Sequence, residues 1–171
     1  MKDIKEYITN VQDFPEKGIL FRDITTVLED SDALNKSIDL MVESLKDIEF
    51  DVILGPESRG FIFGVPLAYI LKKGFVPVRK KGKLPRETKS VNYDLEYGSA
   101  TLEIHKDSIK KGMKCVIIDD LLATGGTMGA ICKLIEELGG EVVKAVFFIE
   151  LTDLNGRDKL KNVNVDSIVK Y

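Results

Sequence analysis

The stretch Val116-Ile117-Ile118-Asp119-Asp120-Leu121-Leu122-Ala123-Thr124-Gly125-Gly126-Thr127 decides how this chain is read. The apolar run from Cys115 to Ile118 has the character of a strand buried on both faces. It delivers two carboxylates, Asp119 and Asp120, to the strand's end. Ala123-Thr124-Gly125-Gly126-Thr127 then turns the chain into a helix expected from about Thr127 to Leu138 and stopped by Gly139-Gly140. Gly125 and Gly126 open conformations closed to other residues and let a ligand come close. The N–H groups at the helix start favour an anion, and Thr124 and Thr127 add hydroxyls. Neither G-x-x-x-x-G-K-[ST] nor G-x-G-x-x-G is present. Carboxylates beside a phosphate repel it unless they hold something else. A sugar diol, or a magnesium ion shared with it, is their natural occupant, so the loop reads as a seat for a sugar phosphate.

Working outward, Phe50 to Leu54 reads as a short buried strand that stops at Gly55-Pro56. A helix is expected from about Gly60 to Lys73, then a strand at Phe75 to Val78, where Pro77 favours an edge or a bulge. Ser31 or Asp32 is the expected cap of an earlier helix reaching about Lys46, with Leu34, Ile38, Met41, Val42 and Leu45 as its apolar stripe. Val142 to Ile149 is a further apolar strand. Strands alternating with helices give an α/β domain with a mainly parallel sheet, and one domain over residues 1–171. Ligands bind such sheets beyond the carboxyl ends of the strands. The loops Gly55 to Gly60 and Asp119 to Thr127 occupy two of those ends, and the site is expected between them.

Lys80 to Ser90 is polar, basic and broken by Gly82 and Pro85, the composition of a long mobile loop. Val91 to Tyr97 and Ala100 to Lys106 follow as a hairpin. Basic charge is concentrated here although the formal net charge is −3, which argues against a nucleic-acid protein with a broad basic surface. No stretch approaches the roughly 20 apolar residues that span a bilayer, so no membrane partner is expected and the cytoplasm is the default compartment. Cys115 and Cys132 read as core. His105 is the only histidine, which leaves no material for a histidine-rich metal site; the alternation Leu102, Ile104 puts it on the wetter face.

These motifs resemble the type I phosphoribosyltransferases over most of the chain. The acidic pair with Ala-Thr-Gly-Gly-Thr is similar to the signature that binds 5-phosphoribosyl-1-diphosphate (PRPP). The resemblance implies ribose-phosphate contacts from Asp119, Asp120, Ala123, Thr124, Gly125, Gly126 and Thr127. It also implies Mg2+ near Asp119 and Asp120, directly or through water or ribose. Gly55-Pro56-Glu57-Ser58-Arg59-Gly60-Phe61 resembles the pyrophosphate loop, in the version of adenine phosphoribosyltransferases. Glu57, Ser58, Arg59 and Gly60 would serve pyrophosphate, with Arg59 as a planar fork and a non-proline cis peptide near Glu57-Ser58.

Gly82-Lys83-Leu84-Pro85 resembles the start of a flexible lid spanning about 80–97, which implies that Lys83 reaches pyrophosphate on closure. Arg79 is implied on the same group, or reaching a neighbouring site in a homodimer. Glu96 and Tyr97 match residues at the lid base, with Glu96 near the reacting base nitrogen. Phe21-Arg22-Asp23-Ile24 resembles a segment of the small N-terminal hood, about residues 1–30. Phe21 would stack on a purine, the Arg22 backbone would bond its edge, and Leu151 would cover its other face. Adenine's amino group needs an acceptor, whereas 6-oxopurines need a donor; the resemblance implies a lysine after the strand that follows the PRPP signature in the 6-oxopurine enzymes, and its absence beside Glu150 favours adenine. The implied reaction converts adenine and PRPP to AMP and pyrophosphate. The alternatives are a transferase for another purine such as xanthine, or a PRPP-binding regulator without turnover. Regulators of this fold usually carry a DNA-binding domain, for which the ten residues before Val11 are too few.

Overall fold

A computed structural model of the chain describes residues 3–94 and 98–171, which fall into two compact units, residues 1–40 and 41–171. In the first unit, β1 (Thr9–Gln12) pairs antiparallel with β2 (Leu20–Asp23), placing Val11 opposite Phe21 and Asn10 opposite Arg22. Their connection includes a cis Phe14–Pro15 peptide, and Phe14 meets Phe21 edge-on with ring centroids 5.1 Å apart. Asp23 starts the short helix α1 (Thr25–Glu29) by accepting the Thr25 N–H at 2.9 Å. Asp30 caps α2 (Ser31–Glu43), accepting N–H bonds from Asp32 at 3.0 Å and Ala33 at 2.9 Å. The cap is therefore neither Ser31 nor Asp32, and the helix stops short of Lys46. Its buried apolar positions include Ala33, Ile38 and Met41, whereas Leu34 and Val42 are half-buried.

The second unit is built on a sheet that is mainly parallel. In chain order it holds β3 (Val52–Pro56), α3 (Arg59–Leu71), β4 (Gly74–Lys80), β5 (Thr88–Asp94), β6 (Ser99–His105), β7 (Lys114–Leu122), α4 (Gly126–Glu137), β8 (Glu141–Glu150) and β9 (Asn164–Lys170). The strand order among the described residues is β5-β6-β4-β3-β7-β8-β9. β4, β3, β7, β8 and β9 run parallel, and the β5–β6 hairpin joins antiparallel at one edge. β3 and β7 are fully apolar where they pair, so they sit in the middle with both faces covered. From β3 the chain crosses through α3 to β4 on one side; from β7 it crosses through α4 to β8 on the other. The loops that end β3 and β7 thus flank the point where the winding reverses, the position where such sheets bind ligands.

The apolar core of this unit includes Leu54, Val78, Ile104, Ile117, Ile131, Ile135 and Phe147, together with both free cysteines. Burial pushes both thiols up to about 12, so neither is a nucleophile at neutral pH. At Pro77, β4 pairs with β3 only, because its pairing with β6 begins at Arg79; the missing N–H is accommodated there without an edge strand.

The basic segment differs from expectation. β4 runs to Lys80 and β5 starts at Thr88, so only residues 81–87 are irregular. That stretch is tied down: Lys81 N–H bonds the Thr101 carbonyl, Gly82 N–H bonds Glu103 at 3.0 Å, and Arg86 Nη2 lies 3.0 Å from His105 Nδ1. It covers the face of β6 expected to be wet, so His105 is buried rather than exposed. Among the described residues, no helix is long and apolar enough to cross a membrane.

Candidate active site

The acidic pair lies inside β7, which runs on to Leu122 rather than stopping at Ile118 as expected; Asp120 is buried and Leu122 returns to the core. Asp119 Oδ1 accepts the Asp120 N–H at 2.9 Å, and Asp120 pairs with Arg59 Nε at 2.9 Å. The Asp120 side chain is 7% exposed and that of Arg59 41%, so the pair closes on one side and opens to a cleft on the other. Burial raises Asp119 well above the ordinary carboxylate range, and the adjacent Asp120 raises it further. Burial also raises Asp120, with the Arg59 charge working against that rise.

Gly125 ends the loop in a left-handed conformation, φ 79°, and no side chain caps the start of α4. The first-turn N–H groups of that helix are therefore directed at the cleft without a protein acceptor supplied by a cap. Arg59, Asp119, Asp120 and the run from Leu121 to Met128 line a cavity of about 220 Å³. A second cavity of about 430 Å³ is lined by Pro56, Glu57, Ser58, Arg59, Lys80, Tyr93, Leu102, Asp119, Asp120 and Thr127. Sharing Arg59, Asp119, Asp120 and Thr127, the two form one cleft between the strand-end loops.

On the opposite loop, Glu57–Ser58 is a cis peptide. Burial would raise Glu57, but the Lys80 N–H at 2.7 Å and Arg79 Nε at 3.2 Å outweigh it and hold the carboxylate below its ordinary value. Gly60 lies tight against the other loop: a Cβ there would stand 3.0 Å from Asp119 Oδ1. The structure thus gathers Glu57, Ser58, Arg59, Gly60, Asp119, Asp120 and Ala123 to Thr127. Arg79 is directed to Glu57 and to the Lys83 carbonyl, and Lys83 is exposed; neither lines the cleft. Leu151 is half-buried after β8, its N–H bonded to the Leu122 carbonyl at 3.0 Å. Phe21 and Arg22 belong to the first unit, where Arg22 bonds Asn10. Glu96 and Tyr97 lie outside the described residues.

Sequence reasoning missed Tyr93, whose hydroxyl is 3.4 Å from Thr127 Oγ1, and Lys80 as a cleft residue. The signal for Tyr93 was its two-residue spacing from buried Val91, which puts it on the inner face of β5.

A model of the phosphoribosyl transferase domain matches residues 24–170. The chain belongs to the phosphoribosyltransferase family. It is 64% identical, over all of this chain and 98% of the relative, to an adenine phosphoribosyltransferase of Lachnoclostridium phytofermentans. A crystal structure of the adenine phosphoribosyltransferase of Thermoanaerobacter pseudethanolicus is 55% identical and superimposes with a TM-score of 0.96, covering 98% of each chain. The Saccharomyces cerevisiae adenine phosphoribosyltransferase, in complex with adenine and an imino-altritol bisphosphate, is 40% identical with a TM-score of 0.90 over 96% of each chain. In the family context the fold is the type I phosphoribosyltransferase fold, as the sequence motifs implied.

Proposed function

We propose that this protein transfers the 5-phosphoribosyl group of PRPP to adenine, releasing AMP and pyrophosphate. The observation that carries the reading is the pair of strand-end loops: an acidic pair and an uncapped helix start on one side, Arg59 on the other, joined by one 2.9 Å ion pair. A phosphate sits on the N–H groups of residues 123–127, the ribose hydroxyls on Asp119 and Asp120, and the pyrophosphate along Glu57 to Gly60 with Arg59. In the reaction, the bond from ribose C1 to the pyrophosphate oxygen breaks with its electron pair on the leaving group. The adenine N9 lone pair forms the new bond to C1, and the N9 proton passes to Glu96 or to water. Such a step needs positioning and charge stabilisation more than a protein nucleophile.

Among the described residues, no group of three or more His, Cys, Asp or Glu is arranged to hold a metal. Two adjacent carboxylates on the cleft, both raised by burial, nonetheless suit a hard cation brought in by the substrate, an ion that keeps most of its ligands as water and phosphate oxygen. Asp119 and Asp120 would hold Mg2+ directly or through ribose or water, and the ion would neutralise charge on the departing pyrophosphate.

Phe21, the Arg22 backbone and Leu151 bind the base. Residues of about 80–97 act as a lid that brings Lys83 to the pyrophosphate, and Arg79 serves the same group or a neighbouring site in a dimer. Glu96 would serve the reacting base nitrogen as proton acceptor or hydrogen-bond partner, and Tyr97 the lid hinge. The whole chain works as one domain with a hood of about 30 residues. Two free buried thiols are in keeping with the cytoplasm.

A homodimer is part of the same reading. After Arg59, helix α3 has no charged residue, and its outer face shows Ile62, Val65, Tyr69 and Ile70, with Tyr69 85% exposed. A helix apolar all round belongs in an interface. Tyr69→Glu combined with Ile70→Glu is expected to convert a dimer to a monomer in sedimentation equilibrium; a wild-type monomer would contradict the assignment. The activity itself is tested by incubating the protein with adenine, PRPP and Mg2+. AMP and pyrophosphate should appear in equal amounts, and PRPP binding without product would favour the regulator instead.

A further inference from the structure

The phosphate loop rests on a second loop that no motif marked. After β8 ends at Glu150, the chain makes two short 3-10 turns, Thr152–Leu154 and Gly156–Leu160, before β9. A Cβ on Gly156 would stand 2.3 Å from the Ala123 carbonyl oxygen, and a Cβ on Gly125 would stand 2.3 Å from the Gly156 carbonyl oxygen. The contact is reciprocal, backbone against backbone, with no room for a methyl group on either side.

Gly156 is held in place by its neighbour. Arg157 Nε donates to Glu150 Oε1 at 2.6 Å and Nη2 to Oε2 at 2.7 Å, a two-pronged pair on a carboxylate that is 4% exposed. Nη1 donates to the Val165 carbonyl in β9 at 2.9 Å. Beside this clamp, the Leu151 N–H to Leu122 carbonyl bond ties the end of β8 to β7 immediately before the phosphate loop. The arginine therefore ties the end of β8 to the start of β9 and fixes the turn that backs the loop after β7. Gly125 and Gly126 have no side chains with which to fix their own N–H groups, so that geometry must come from outside the loop.

We propose that Gly156 and Arg157 are positioning residues for PRPP: the Arg157–Glu150 clamp presses Gly156 against Ala123 and Gly125 and so sets the N–H groups that receive the phosphate. Neither residue touches substrate. The inference rests on the proposed phosphoribosyl transfer, and the test separates the two. PRPP binding by calorimetry, KM for PRPP and for adenine, kcat, and melting temperature are compared for the wild type, Gly156→Ala, Arg157→Lys and Arg157→Ala. Displacing a binding group by about 1 Å can cost on the order of 100-fold, so Gly156→Ala is expected to weaken PRPP binding and raise its KM by ~10-fold or more. KM for adenine should stay within about twofold and the fold should persist. Arg157→Lys keeps the charge but loses the fork, and should shift KM for PRPP in the same direction by less than Arg157→Ala. If Arg157→Ala does not fold, the other two variants decide. Variants that melt earlier but keep the wild-type KM and affinity for PRPP would overturn the proposal, because a merely structural role gives that pattern. A wild-type protein that fails to bind PRPP would overturn the proposed function, and this inference with it.

Discussion

Replacing Asp119 and Asp120 together by Asn is expected to reduce PRPP affinity by about 100-fold or more, since each hydrogen bond to a charged group is worth roughly 1.5–3 kcal/mol. The same double variant should be no less stable than the wild type near neutral pH when no ligand is bound. Both carboxylates have raised pKa values in the fold, Asp119 most of all, through burial and then through its neighbour. An acid raised in the folded state stabilises fully below its unfolded pKa, near the ordinary 3.8, and loses that contribution as pH rises through the folded value. At neutral pH the wild type therefore bears the cost of ionising a desolvated pair, which the amides do not. The stability gain of the variant should shrink as pH falls toward the acid range. Thermal melts across pH, with PRPP titration calorimetry, measure both effects. Normal PRPP affinity in the variant would remove the acidic pair from the binding site.

Arg59→Ala carries the second large effect. The guanidinium faces the cleft and also supplies the charge that works against the rise of Asp120. Removing it takes away a donor for the leaving pyrophosphate, a type of loss that costs on the order of 100- to 1,000-fold in rate. It also leaves Asp120 more strongly raised, so the acid limb of the rate profile should move to higher pH. Arg59→Lys restores the charge without the planar fork and should recover the position of that limb better than the rate. A rate for Arg59→Ala within about threefold of wild type, with an unshifted profile, would place pyrophosphate elsewhere.

The parts of this site that were legible in the sequence are those where composition and chemistry coincide. Cys115 to Ile118 is uniformly apolar because β7 is covered on both faces, and the change to Asp119-Asp120 marks where the strand meets the cleft, although β7 itself continues to buried Leu122. Gly125 at positive φ and the uncapped start of α4 follow from the Ala-Thr-Gly-Gly-Thr turn. Other features depended on tertiary cover. His105 alternates as an outward residue, yet residues 81–87 fold over it. The same folding shortened the irregular basic segment expected from Lys80 to Ser90. β9 mixes polar and apolar residues in Asn-Val-Asp-Ser-Ile-Val-Lys, as an edge strand does, and offered no buried run to recognise. Gly156 was silent for a different reason: its contribution is the absence of a side chain against a loop more than thirty residues earlier.

The central claim is that the cleft joins a purine with a 6-amino group to PRPP. The most direct measurement is competition: adenine, hypoxanthine, guanine and xanthine supplied together at equal concentration with PRPP and Mg2+, and the nucleotides resolved by chromatography. AMP is expected as the dominant nucleotide, formed in step with pyrophosphate. IMP, GMP or XMP in place of AMP would contradict it.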